Sequence, residues 1–147
     1  MTMPSFIRRL RPALCAAAIA LAAPAFAADD ALYRQLGAQP GLEALMQDFM
    51  QRLLADPRMN PFFKEADQAH IQAELVLQIC ELSGGPCRRE GPDMKRVHEG
   101  VDIDRAAFNA LVEVLQRSMD ARGIPFGTQN RLLALLAPMH REIINVP

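Results

Sequence analysis

The chain has 147 residues, half of them hydrophobic and 22% charged, with a formal net charge of -1. That composition supplies a packed core for one domain and excludes a disordered, collagen-like or multidomain chain. A near-neutral balance gives no electrostatic case for nucleic-acid binding. With no tryptophan and only 5% aromatics, the core must be built mainly from Leu, Ile, Val, Ala and Met.

At the N-terminus, Arg8, Arg9 and Arg11 precede an apolar run from Ala13 to Ala23, then Pro24 and Ala25-Phe26-Ala27. A basic patch, a short apolar stretch and an A-x-A site are the layout of a secretory signal peptide, so residues 1–27 are expected to be cleaved after Ala27. The run is shorter than the roughly 20 residues that cross a bilayer, and an uncleaved tether is the alternative. The mature chain, residues 28–147, is then periplasmic or secreted, with no membrane attachment. It loses three arginines and no acids, which brings it near -4, and it loses Cys15. Cys80 and Cys87 remain. In an oxidising compartment the pair is expected to close a disulfide, two free buried thiols being the other reading. Closing so short a loop is worth about 2–3 kcal/mol on the chain-entropy model. No further cysteine or close histidine pair completes a zinc set.

The mature chain then reads as helices. Tyr33 to Leu36 forms a short one, stopped at Gly37, with Pro40 and Gly41 prolonging the break. Leu42, Leu45, Met46, Phe49, Met50, Leu53 and Leu54 recur at three- and four-residue spacing until Asp56-Pro57 ends the helix. Pro61-Phe62-Phe63 makes an apolar corner. Asp67 caps the next helix, with Ile71, Leu75, Ile79 and Leu82 on its apolar face and Gly84-Gly85-Pro86 at its end. From Cys87 to Gly100 the pattern is polar and broken, with one helical turn around Met94–His98. Asp104 caps a helix carrying Phe108, Leu111, Val112, Leu115 and Met119, closed by Gly123-Ile124-Pro125. Thr128 opens the last helix, with Leu132, Leu133, Leu136, Met139 and Ile143 on its stripe. Nothing alternates as a strand would. The expectation is an all-α chain of four substantial helices, two minor ones and one long loop.

That loop, between Leu82 and Asp104, is the anomaly, because long loops in compact domains are functional or disordered. It carries His98 directly after Met94 and Val97, which can pack inward. An imidazole held over an apolar cavity is a common haem-iron ligand, although a lone histidine is more often an ordinary surface or core residue.

These segments together resemble the group I truncated haemoglobins over almost the whole mature chain. Leu32-Tyr33-Arg34-Gln35-Leu36-Gly37 is similar to the family's opening helix. Asp48-Phe49-Met50 through Leu54-Ala55-Asp56-Pro57 and Phe62-Phe63 resembles its second helix and corner. Gly84-Gly85-Pro86 and Gly91-Pro92-Asp93-Met94-Lys95-Arg96-Val97-His98-Glu99-Gly100 resembles its glycine turn and proximal-histidine segment. Phe108, Gly123-Ile124-Pro125 and Ala137-Pro138 match the last two helices in spacing. The resemblance implies a two-over-two helical sandwich around haem b, held without covalent CxxCH attachment, a motif this chain lacks. His98 maps onto the proximal iron ligand and Phe62 or Phe63 onto the aromatic packed on the haem face. Lys95, Arg96 and Arg89 are candidates to pair the propionates, with solvated loop charges as the alternative.

On the distal side the chain departs from the pattern. Met50 stands where group I members often carry tyrosine, and Leu75 where they carry glutamine. With Ile71 these make an apolar pocket without hydrogen-bond donors for a bound ligand. Gln78 is the nearest polar side chain, unless it faces solvent, and Tyr33 lies in the opening helix. The resemblance therefore implies a binder of small gaseous ligands such as NO and CO, with oxygen held weakly. NO dioxygenation or peroxide chemistry would be a low-turnover activity, and dioxygenation needs a separate, unidentified reductase. The alternative is a periplasmic electron-transfer or haem-handling protein with six-coordinate iron, Met50 or His70 supplying the second ligand. His140 matches a position at which some cyanobacterial members bond a haem vinyl, and an exposed histidine is the plainer reading. A monomer is expected.

Overall fold

The computed structural model describes residues 29–147. The expected leader, residues 1–27 with Cys15, lies outside them. α1 (Ala31–Gln35) is followed at once by α2 (Ala38–Ala55). Pro40 and Gly41 therefore do not prolong a break; they sit in the first turn of α2. A proline there forgoes only an N–H that has no partner within the helix. Gly41 is needed for a different reason: a Cβ on it would come within 2.2 Å of the Leu36 carbonyl oxygen, where α1 runs into α2. Leu42, Leu45, Met46, Phe49, Met50 and Leu53 are the buried face of α2, as their spacing predicts. The helix stops at Asp56, whose extended backbone is what a following proline imposes.

The corner holds a short helix, α3 (Asn60–Phe63), and α4 (Gln68–Leu82) follows. Asp67 caps α4, its carboxylate accepting from the His70 N–H at 3.0 Å. The single turn α5 (Met94–Val97) is capped by Asp93, and α6 (Arg105–Ala121) by Asp104, which accepts from the Ala107 N–H at 2.7 Å. α7 (Phe126–Leu136) begins two residues before Thr128. The Pro125 carbonyl accepts from the Thr128 and Gln129 N–H groups, and the Thr128 hydroxyl is buried and donates to Gln35. The last helix is not continuous. A 3₁₀ turn at Ala137–Met139 and α8 (His140–Ile143) follow α7, the change falling at Pro138, which has no N–H for the ladder.

α2 lies across both α4 and α6, α7 packs on α6 and α1, and α5 rests against α8. Leu42, Leu45, Met46, Leu53, Met59, Val114, Met119 and Leu132 fill the centre of this all-helical sandwich. Among the described residues there is no strand, and no helix is long and apolar enough to cross a membrane. At the outer corner, Asp56 pairs with Arg58 at 2.9 Å and Arg117 at 3.0 Å, while Arg58 also reaches Glu113. The hydrogen bonds from Arg58 hold the Asp56 carboxyl far below the usual carboxylate range.

Candidate functional site

His98 ends α5, half-buried, with its Nδ1 2.7 Å from the Met94 carbonyl oxygen. A carbonyl only accepts, so Nδ1 carries the proton and donates. Nε2 is left as the nitrogen with a free lone pair. This is the arrangement that prepares an imidazole to ligate a metal: one nitrogen fixed by a backbone carbonyl, the other available. A single imidazole so prepared can serve as one ligand to a metal that is otherwise held by its own ring or by apolar packing. No group of three or more His, Cys, Asp or Glu side chains able to hold a metal occurs among the described residues.

The apolar residues predicted around His98 fall into two groups. Met50 is only 3% exposed and belongs to the core. Phe62, Phe63, Ile71 and Leu75 are half-buried and pack against that core, the first two from α3 and the others from one face of α4. Gln78, one turn beyond Leu75, is half-buried. Its Nε2 lies 3.1 Å from the Met139 sulfur and 3.6 Å from that of Met94. The amide thus spans from α4 to the α5 turn and the C-terminal segment. Phe62 also lines a surface cleft of about 290 Å³ with Arg58, Asp102, Asp104, Ala106 and Ala107. A second cleft, about 350 Å³, lies between α6 and α7, away from His98.

Lys95 and Arg96 are exposed, and neither side chain makes an ion pair among the described residues. Arg89 differs. Its side chain is largely buried, pairs with Glu74 at 3.5 Å and donates to the Pro92 carbonyl. His70 is exposed in the first turn of α4. His140 is exposed too, its Nδ1 2.9 Å from the Ala137 carbonyl and its ring 6.3 Å from that of Phe108.

The loop leading to His98 is attached along α4 at several points. Cys80, fully buried, and Cys87 form a disulfide with Cα atoms 5.7 Å apart, so the free-thiol reading does not apply. Glu81 accepts from the Arg89 backbone N–H and the Arg88 guanidinium, and Glu74 holds the Arg89 side chain. After His98, Asn145 donates to the His98 carbonyl at 2.7 Å. The cysteine pair was visible in the sequence. Glu74, Glu81 and Asn145 were not, and Met139 showed only as a stripe residue, since the role of each is defined by a partner that periodicity does not reveal.

The family model for bacterial-like globins matches residues 31–145. The chain belongs to the group I truncated globins. Over 112 residues this globin is 30% identical to the Group 1 truncated hemoglobin GlbN of Mycolicibacterium paratuberculosis, covering 76% of this chain and 82% of that one. The fold agrees with the crystal structure of the truncated hemoglobin of Tetrahymena pyriformis, with a TM-score of 0.74 at 24% identity, covering 78% and 97% of the two chains. The 2/2 hemoglobin of Synechococcus, solved with covalently attached heme, gives 0.72 at 22% identity over 78% and 98%. Membership implies a haem-binding globin, and the His98 donor geometry fits that group.

Proposed function

We propose that this globin binds haem b through His98 and takes up small diatomic ligands, NO and CO readily and oxygen weakly. The observation that carries this is the His98 ring, its Nδ1 committed to the Met94 carbonyl and its Nε2 left to ligate. His98 would hold the haem, whose iron would supply the binding of a gaseous ligand. Met50, buried in the core, and Ile71 and Leu75, packed against it, would offer a bound ligand apolar surroundings without a donor. A charge-assisted hydrogen bond to a polar ligand is worth about 1.5–3 kcal/mol, so each missing donor weakens oxygen binding by roughly tenfold to a hundredfold. NO and CO, which gain little from such donors, keep their affinity. Lys95 and Arg96 are free to meet the propionates, whereas Arg89 serves the loop. The leader pattern and the disulfide support export to the periplasm or medium. NO detoxification would require an external reductase as partner.

The test is an optical spectrum of the mature chain reconstituted with haem, in ferric, ferrous and ferrous–CO forms, alongside His98→Ala. The expected result is a stoichiometric Soret band, a five-coordinate ferrous spectrum that converts fully with CO, and loss of all of these in His98→Ala. A six-coordinate ferrous spectrum that resists CO would overturn the open-pocket reading in favour of electron transfer. A long-lived oxygen complex would overturn the apolar-pocket reading.

A further inference from the structure

His98 lies outside the hydrogen-bond ladder of any long helix. Beyond it the chain runs through His98–Ile103, a loop with two residues in the left-handed region, Gly100 at φ 76° and Asp102 at φ 55°. Aspartate tolerates that conformation better than most side chains, at a modest cost. Asn145, just after α8, meets both ends of this loop. Its Nδ2 donates to the His98 carbonyl at 2.7 Å, and its Oδ1 accepts from the Ile103 N–H, also at 2.7 Å. Its own N–H donates to the Ile103 carbonyl at 3.0 Å, and the Val146 N–H reaches the same oxygen at 3.3 Å. Among the described residues, the only other donor to the His98 carbonyl is the Val101 N–H, at 3.2 Å, from inside the loop.

We propose that Asn145 is the positioning residue for His98: its side-chain amide closes the His98–Ile103 loop and so holds the imidazole in register with the Met94 carbonyl. The proposal rests on the haem-site reading for its consequence, but the clamp acts on the ring whether or not haem is bound. An amide suits the task because it carries one donor group and one acceptor on the same rigid plane. Aspartate has the same shape but presents a second acceptor to the His98 carbonyl, breaking that contact while keeping the one to Ile103. Leucine removes both. Loss of the hydrogen bond that fixes a ligating histidine's other ring nitrogen changes metal affinity by about 10–100-fold, and Asn145 acts on that bond through the His98 backbone.

The experiment compares the wild type with Asn145→Asp, Asn145→Leu and Val146→Pro, the last removing a tail contact without touching His98. In haem-free protein at alkaline pH, nitrogen NMR of the His98 ring reports the tautomer. In the reconstituted protein, the iron–histidine stretching frequency and the rate of haem transfer to an acceptor globin report the bond. The expected result is a ring protonated at Nδ1 in the wild type and Val146→Pro, and mixed tautomers in both Asn145 variants. Those two should also show a shifted iron–histidine frequency and haem loss faster by about tenfold or more. If all three variants behave alike, or if the Asn145 variants keep the wild-type tautomer, Asn145 merely docks the tail and the proposal is overturned. A wild type that shows the Nδ1 tautomer, lost in Asn145→Asp, but takes up no haem would support the clamp while removing the haem reading.

Discussion

The α2–α4–α6 core and the segment from Ser83 to Asp104 are stabilised by different physics. In the core, Leu42, Leu45, Leu53, Val114 and Met119 are wholly buried, and nothing directional fixes them beyond the fit of side chains. Around His98 there is little buried surface, and Val97 and Val101 are exposed. Order there comes from a disulfide, the Asp93 cap, two glutamates on α4 and the Asn145 amide. Non-directional burial tolerates small shifts, whereas a ligating imidazole must be aimed. The chain therefore places its bulk apolar surface where only stability is at stake and its directional bonds where orientation is.

The largest expected effect breaks the first half of that contrast. Leu53→Ala should cost about 2–5 kcal/mol, since a fully buried leucine loses both transfer energy and its packing partners. Urea unfolding of the haem-free protein measures it, and a loss below about 1 kcal/mol would mean that the core relaxes into the space. Next in size is Cys80→Ser with Cys87→Ser, expected to cost about 2–3 kcal/mol on the chain-entropy model. Hydrogen exchange sharpens the comparison here: amides in residues 84–98 should lose protection well before those of α2, and uniform loss would show that the loop and core are one cooperative unit. The smallest effect tests a site outside both regions. The Asp56 carboxyl is held below its ordinary 3.8 by Arg58, then Arg117. A depressed carboxylate contributes stability above its unfolded value and loses it as pH falls toward the folded one. Asp56→Asn should accordingly lower stability at neutral pH, where the ionised carboxylate contributes, and flatten the acid limb below about pH 4, so that variant and wild type converge in acid. Identical acid limbs would mean that the ion pairs add nothing.

Much of the core was legible from sequence because helical periodicity is itself a record of burial. The face of α2 and the caps Asp67 and Asp104 follow from spacing and side-chain chemistry alone. Pro40 and Gly41 misled because residues that break a helix interior are harmless in its first turn. The continuous last helix misled in the opposite sense: the stripe from Leu132 to Ile143 keeps its period, yet Pro138 removes the donor the ladder needs. In the site, His98, Cys80 and Cys87 stood out by residue type. Asn145 did not, for an exposed asparagine in a tail has no local signature and its partner lies 47 positions away. Gln78 could be read as polar near Leu75, but its placement between two thioethers depends on how α4 meets the C-terminal segment.

Tyr33 gives this division an optical readout. It is the only tyrosine in a chain without tryptophan. Its ring and the Cys80 sulfur both lie within 3 Å of the point where a Cβ on Gly85 would sit, and its N–H donates to the Ser83 carbonyl. The phenol bands of the near-ultraviolet absorbance and circular dichroism of the haem-free protein, and its phenol emission, therefore originate at one corner, beside a sulfur bridge that quenches that emission. The molecule contains a native chromophore at the base of the His98 loop, and a rise in its emission would mark the moment that corner opens, separately from the helical signal of the core.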